Sequence, residues 1–135
     1  MIKKGIILAG GLGTRLSPIT KSVSKQLLPV YDKPLIFYPL SVLMLCNIKN
    51  ILIIVKKGEK KNFQSALGET KDLGINIEFK EQIIPTGIPE AFIIGEKFIN
   101  KENVALILGD NFFYGQGLSE ILKKNFNLRN GARIF

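Results

Sequence analysis

A chain of 135 residues with 46% hydrophobic content can bury a core of one domain, and no run in it approaches the ~18 continuous apolar residues of a membrane span. Nineteen basic residues against eleven acidic ones give a formal charge of +8, but the lysines are dispersed as pairs (Lys3-Lys4, Lys56-Lys57, Lys60-Lys61, Lys123-Lys124) without an aromatic platform, which favours solvated surface over nucleic-acid binding. There is no histidine, so the commonest general base and metal ligand is missing and any catalysis must use charge, metal and positioning.

Apolar runs predict four strands, at Lys4–Leu8, Ile51–Val55, Ile75–Phe79 and Val104–Leu108. The first reads as buried on both faces, and the second is rich in branched residues. The third alternates apolar and polar residues, which predicts a place nearer an edge. Helical patterns lie between and after them. Leu35 to Ile48 contains Pro39, which predicts a late start or a kink. Glu59 to Leu67 is shorter and more polar. Pro89 to Ile99 has proline at a favoured first position, and Gly117 to Asn125 follows the fourth strand. The alternation predicts an α/β fold: a doubly wound, mainly parallel sheet with helices on both faces. Gly131–Phe135 reads as the opening of a further strand, so the fold is expected to be truncated at its carboxyl end. The start, Met1 to Gly5, lacks the apolar run and cleavage site of a secretory leader. Cys46 is the sole cysteine and sits among apolar neighbours, which predicts a buried thiol. A cytoplasmic protein is expected.

The chemistry centres on Leu8-Ala9-Gly10-Gly11-Leu12-Gly13-Thr14-Arg15-Leu16-Ser17-Pro18. A buried strand feeds a loop of residues with little side chain, an arrangement that can present peptide N–H groups to phosphate. Arg15 adds a planar, permanently charged fork. The Walker loop needs Lys followed by Ser or Thr after its last glycine, and here Thr14-Arg15 stands instead. The dinucleotide fingerprint needs a glycine where Leu16 stands. A plain tight turn is the competing reading of the loop.

In parallel sheets ligands bind beyond the carboxyl ends of the strands. The glycine loop follows the first strand, Gln82 and Gly87 follow the third, and Gly109-Asp110-Asn111 follows the fourth, so three polar clusters are expected on one edge. Lys25 lies in a loop long enough to reach the same pocket, where it would neutralise charge on a transferring phosphoryl group. An ordinary surface lysine is the alternative. Asp110 suits a hard cation such as Mg²⁺, completed by phosphates and water; a turn-initiating aspartate is the alternative.

The three segments L-A-G-G-L-G-T-R-L-S-P-I-T, S-K-Q-L-L-P-V-Y-D-K-P and L-G-D-N-F-F-Y-G together resemble the sugar nucleotidyltransferases, over essentially the whole chain and in order. The lysine segment is similar to the thymidylyl-transferring type. The uridylyltransferases share the glycine loop and usually differ in that segment; UTP use is the alternative carried forward. The resemblance implies a Rossmann-like nucleotidyltransferase fold and transfer of a nucleoside monophosphate from dTTP to glucose 1-phosphate, with Mg²⁺ and release of pyrophosphate. It implies that Leu8, Gly10, Gly11 and Gly13 line the nucleotide loop, Thr14 and Arg15 meet the phosphates, and Lys25 stabilises the transition state. It further implies that Gln82 and Gly87 read the base, Pro85 shapes the base pocket, and Asp110 holds the metal. By the same resemblance, residues 1–135 are the nucleotide-binding part of the domain. The sugar-binding half and a second metal carboxylate lie outside it, and the whole protein is a homo-oligomer without nucleic-acid or membrane partners. A nucleotide-binding fragment without turnover of its own is the remaining alternative. Where the family usually reads P-D-G-L-A-Q-A, this chain reads Pro85-Thr86-Gly87-Ile88-Pro89-Glu90-Ala91. Glu90 brings a negative charge beside the nucleotide site and so bears on base preference.

Overall fold

The computed structural model describes residues 1–68, 70–128 and 130–135, without the side chains of residues 70 and 71. In chain order the elements are β1 (Lys4–Ala9), β2 (Pro29–Val30), β3 (Lys33–Pro34), α1 (Phe37–Leu45), β4 (Asn50–Lys56), α2 (Lys60–Leu67), β5 (Asn76–Gln82), α3 (Glu90–Ile94), α4 (Glu96–Ile99), β6 (Val104–Leu108) and α5 (Leu118–Lys124). Four strands form one sheet in the order β5-β4-β1-β6, and every neighbouring pair is parallel. The sheet order reverses between β1 and β6, so the glycine loop after β1 leaves the sheet at the switch point where such folds hold ligands. β2 and β3 form a two-residue antiparallel ladder apart from the main sheet.

β4 is the spine. Ile51, Leu52, Ile53, Ile54 and Val55 are all fully buried, which needs cover on both faces of the sheet. On one face Ile7, Ile53 and Val55 pack with Leu40 and Leu43 of α1, Phe63 and Leu67 of α2, and Leu122 of α5. On the other, Ile6, Leu52 and Ile54 pack with Ala91 of α3 and Phe98 of α4. Ile53→Ala is expected to cost about 2–5 kcal/mol, the scale of an isoleucine truncated in a closed core. A denaturation midpoint equal to that of the unaltered chain would contradict this packing.

Pro39 is the third residue of α1. Its missing N–H falls in the first turn, where no intrahelical partner exists, so the helix starts late and is not broken. The helix expected over Pro89–Ile99 is divided at Gly95 into α3 and α4. The backbone bonds Gly95 N–H to Ala91 C=O (2.9 Å) and Ile99 N–H to Gly95 C=O (2.8 Å) run through the break. A Cβ on Gly95 would stand 2.8 Å from Ala91 O and 3.1 Å from Ile6 Cδ1, so glycine lets this short pair lie close on the sheet. β5 is an edge strand, as its alternation predicts. Gly131–Phe135 forms no strand, and Ile134 and Phe135 are exposed. Cys46 is buried, and burial raises its thiol pKa. No helix among the described residues is long and apolar enough to cross a membrane.

The face under α3 and α4 is thinly covered. Leu8, Val104 and Leu106 are only partly buried, and Ile83, Ile84 and Ile93 are 72%, 65% and 74% exposed. Such apolar surface beside an edge strand favours association. Sedimentation velocity is expected to show self-association that rises with concentration; a monomer throughout would mean this surface is harmless.

Candidate functional site

Three loops meet beyond the carboxyl ends of β1 and β6. The first is the glycine loop. Gly13 has φ +62, in the left-handed region, where glycine carries no steric penalty. Its carbonyl accepts from Leu16 N–H at 3.0 Å and from Thr20 Oγ1 at 2.7 Å. These bonds turn the chain into the single helical turn Thr14–Leu16 and leave Thr14 and Arg15 at the surface.

The second loop carries Lys25 and Gln26 in another single turn, Lys25–Leu27. Ser24 Oγ donates to Glu59 Oε2 at 3.0 Å, ahead of α2. Ile36 N–H donates to Gln26 O at 2.8 Å, and Leu35 N–H to Leu28 O at 3.0 Å. The loop is thereby tied to the starts of two helices. Leu108 and Gly109 bring the third loop, with Gly109 N–H donating to Leu8 O at 2.9 Å.

Together these loops form an open cleft of about 250 Å³ lined by Gly11, Gly13, Thr14, Arg15, Leu16, Lys25, Gln26 and Asp110. It holds two cations and one anion. Lys25 Nζ donates to Asp110 Oδ2 at 2.9 Å, with 34% and 35% of the two side chains exposed. Arg15 forms no ion pair among the described residues. A pair this exposed adds little to stability, because water screens it. Both partners therefore remain available to a ligand. No group of three or more metal-ligating side chains occurs among the described residues. Asp110 alone still fits Mg²⁺, which takes one or two protein carboxylates and completes its shell with phosphates and water.

The cleft therefore gathers Gly11, Gly13, Thr14, Arg15, Lys25 and Asp110 from the residues expected at the site. Leu8, Gly10, Gln82, Pro85 and Gly87 do not line it. Leu8 is a strand residue between Ile54 and Leu108. Pro85 and Gly87 lie on the exposed loop after β5, with Gly87 at φ +116. Gln82 is 3% exposed and lies against Gly10, where a Cβ would stand 2.2 Å from Gln82 Oε1. Gly10 thus makes room for a buried amide as well as bending a loop.

A second buried glutamine is seated in the same way. Gln26 is 4% exposed, and a Cβ on Gly109 would stand 3.0 Å from its Cγ. Its Oε1 is buried without a hydrogen-bond partner among the described residues. Buried acceptors are rarely left unpaired, and Gln26 is one of the residues that line the cleft. Gln26 stands in the segment S-K-Q-L-L-P between Lys25 and the apolar pair Leu27-Leu28, a position with no local signal of burial.

Glu90 is not the stray charge its position predicts. Its Oε2 accepts from Gln82 Nε2 at 2.5 Å, Thr86 Oγ1 at 2.6 Å and Thr86 N–H at 3.1 Å. The Thr86 hydroxyl first, then the Gln82 amide, hold its carboxyl below the usual glutamate range. The stabilisation is present above that usual range and is lost as pH falls through the lowered native value.

An α/β domain with a cationic cleft at the switch point of a parallel sheet is an architecture suited to an anionic ligand. The chain belongs to the nucleotidyl transferase family, whose model matches residues 4–134. It is 56% identical over 132 residues to a glucose-1-phosphate thymidylyltransferase of Neisseria meningitidis, covering 98% of this chain and 46% of that protein. A Xanthomonas campestris protein of the same name is 53% identical over 133 residues, covering 98% and 45%. Among solved structures, a candidate glucose-1-phosphate thymidylyltransferase of Bacillus anthracis, in complex with a sucrose, superposes with a TM-score of 0.86. It is 37% identical and is matched over 95% of this chain and 52% of that one. A UDP-glucose pyrophosphorylase bound to UDP-glucose gives 0.72 at 28% identity, over 93% and 54%. The fold is that of the nucleotidyltransferases, and the chain spans about half the length of the curated relatives it matches.

Proposed function

We propose that this chain is the nucleotide-binding part of an enzyme that transfers a thymidylyl group from dTTP to glucose 1-phosphate. The observation that carries the reading is the meeting of Thr14, Arg15, Lys25 and Asp110 in one cleft, in a chain more than half identical to relatives of that name. In the reaction an oxygen of the sugar phosphate attacks the α-phosphorus in line, and the bond to pyrophosphate breaks. The nucleophile is already an anion at neutral pH, so no proton has to be removed, in keeping with a chain that lacks histidine.

In this reading each residue takes a role suited to its position. The N–H groups around Gly11 and Gly13 and the Thr14 hydroxyl face the phosphates. The Arg15 fork takes the departing pyrophosphate. Lys25, swinging from Asp110, meets charge developing at the α-phosphate. Gln26 Oε1 accepts from a hydroxyl of the bound nucleotide or sugar. Mg²⁺, held by Asp110 and the substrate phosphates, would neutralise phosphate charge. Gln82, Pro85 and Gly87, which lie outside the cleft, keep the base-binding role that the family resemblance implies. The rest of the sugar site, a second carboxylate and a homo-oligomeric interface belong to sequence beyond these residues.

Calorimetric titration of dTTP into the chain tests the reading, followed by an assay for pyrophosphate on adding glucose 1-phosphate and Mg²⁺. Saturable dTTP binding with pyrophosphate release supports the enzyme. Binding without release supports the second reading, a nucleotide-binding module without its own turnover, which the half-length match to relatives favours. UTP binding tighter than dTTP would move the assignment to a uridylyl donor. No triphosphate binding would overturn all of these.

A further inference from the structure

We propose that Glu59 is a positioning residue for Lys25: acting through Ser24, it fixes the single helical turn from which the lysine reaches into the cleft. The inference rests on the reading that Lys25 meets the phosphates of a bound nucleoside triphosphate, and it concerns what holds the lysine in place.

The stretch around Glu59 is rich in charge and almost wholly exposed. Lys56, Lys57, Gly58, Lys60, Lys61 and Asn62 all face water, and Glu59 alone is half-buried. Four of those neighbours are lysines, yet among the described residues Glu59 forms an ion pair with none of them. Its Oε2 accepts instead from Ser24 Oγ at 3.0 Å and from Asn62 Nδ2 at 3.2 Å. A carboxylate that passes over adjacent ammonium groups for a hydroxyl 35 residues away serves as an anchor and not as a countercharge.

Ser24 directly precedes Lys25 and stands at the cap position of the turn Lys25–Leu27. A serine there ordinarily turns its hydroxyl back onto the N–H groups of its own turn. Ser24 makes no such bond and donates outward to Glu59. Its carbonyl meanwhile closes the turn, accepting from Leu27 N–H at 2.9 Å. One residue thus both shuts the turn and ties it down.

The anchor is itself braced. Lys57 N–H donates to Gln82 O at 3.0 Å, and Gly58 N–H donates to Glu81 Oε1 at 3.0 Å. Residues 57 and 58 fasten their loop to the end of β5, and Glu59 fastens the Lys25 turn to that loop. The ammonium rides on a flexible four-carbon stem, so a small swing of the turn at Ser24 carries it away from its place beside Asp110. Misplacing a reacting contact by about 1 Å can cost on the order of 100-fold in rate. The side chain stays free to leave Asp110; Glu59 holds the backbone beneath it.

The test is a double-mutant cycle of S24A and K25A, with S24T, E59A and E59Q beside it. Two quantities are measured with Mg²⁺ present: dTTP affinity by calorimetry, and single-turnover pyrophosphate release on adding glucose 1-phosphate. The cycle is read in whichever of them K25A lowers. In the unaltered background S24A and E59A are each expected to lower that quantity about fivefold, the scale of coupling within one hydrogen-bonded network. In the K25A background S24A is expected to change it by less than about twofold, because no ammonium is left to place. S24T keeps the hydroxyl and E59Q keeps an acceptor, so each is expected to retain most of the function. S24A removes one oxygen from a loop residue, so the cycle stands even if E59A fails to fold. A merely structural role for Ser24 predicts equal losses in both backgrounds. That result would overturn the inference and leave the triphosphate reading intact. So would S24A without loss where K25A has one, or losses in S24T and E59Q as large as those of the alanine variants. If K25A binds and turns over like the unaltered chain, the role of Lys25 fails and this inference fails with it. Absence of binding by any triphosphate would overturn the underlying reading as well.

Discussion

Replacing Lys25 by alanine is expected to lower pyrophosphate release from dTTP and glucose 1-phosphate at least ~100-fold, the scale of losing a preorganised electrostatic contact to a developing charge. The expectation comes from where the ammonium is held. Lys25 is carried on a one-turn helix pinned by backbone bonds to the start of α1 and by Ser24 to Glu59. Its amine rests on Asp110 at 2.9 Å. The resting contact is partly exposed and weak, so moving the ammonium onto a phosphate costs little and its arrival is not opposed by a rigid partner. Arginine at this position would keep the charge but replace a compact ammonium with a fork, so Lys25→Arg should recover only part of the rate. The check is single-turnover pyrophosphate release by the unaltered chain and both variants at saturating dTTP. Equal rates would remove Lys25 from the chemistry. If the chain binds dTTP without turnover, the loss should appear in dTTP affinity instead, at about tenfold for one charge-assisted contact.

The fold was largely legible because three sheet strands are apolar runs and the fourth, β5, alternates. Ile51–Val55 reads as a strand from its branched side chains, and the structure buries all five residues. The place of β5 at an edge followed from its alternation. What the sequence hid was mostly tertiary. The break at Gly95 reflects how closely α3 and α4 lie on Ile6, and no local pattern carries that distance. The β2–β3 ladder is only two residues long on each side, too short to leave a period. The tail from Gly131 to Phe135 has the composition of a strand but forms none.

The site divides along the same line. Gly11, Gly13, Thr14, Arg15, Lys25 and Asp110 were legible because loops after parallel strands share one edge. Gln26 was not, since its burial depends on Gly109, far along the chain. Glu90 was noticed as a misplaced charge, because sequence shows a carboxylate but not its donors. Only the fold brings Gln82 and Thr86 onto the same oxygen.

Asp110→Asn is expected to reverse sign with the metal. Without divalent cations, Asp110 presents negative charge to the phosphates and shares the ammonium of Lys25. Asparagine keeps the shape, drops the charge and frees the ammonium. In EDTA the variant should bind dTTP about fivefold more tightly than the unaltered chain, the scale of ~1 kcal/mol at a partly exposed site. With Mg²⁺ the order should invert. The unaltered chain gains affinity because the carboxylate and the phosphates share the cation, whereas a neutral amide is a much poorer ligand for a hard ion. Dependence of dTTP affinity on Mg²⁺ concentration should therefore be steep in the unaltered chain and nearly flat in the variant. Titrations in EDTA and across a Mg²⁺ series separate the two contributions of one carboxylate. Parallel Mg²⁺ curves for the two proteins would place the metal elsewhere. Weaker binding by the variant in EDTA would mean that the Lys25–Asp110 pair shapes the cleft and does not restrain it.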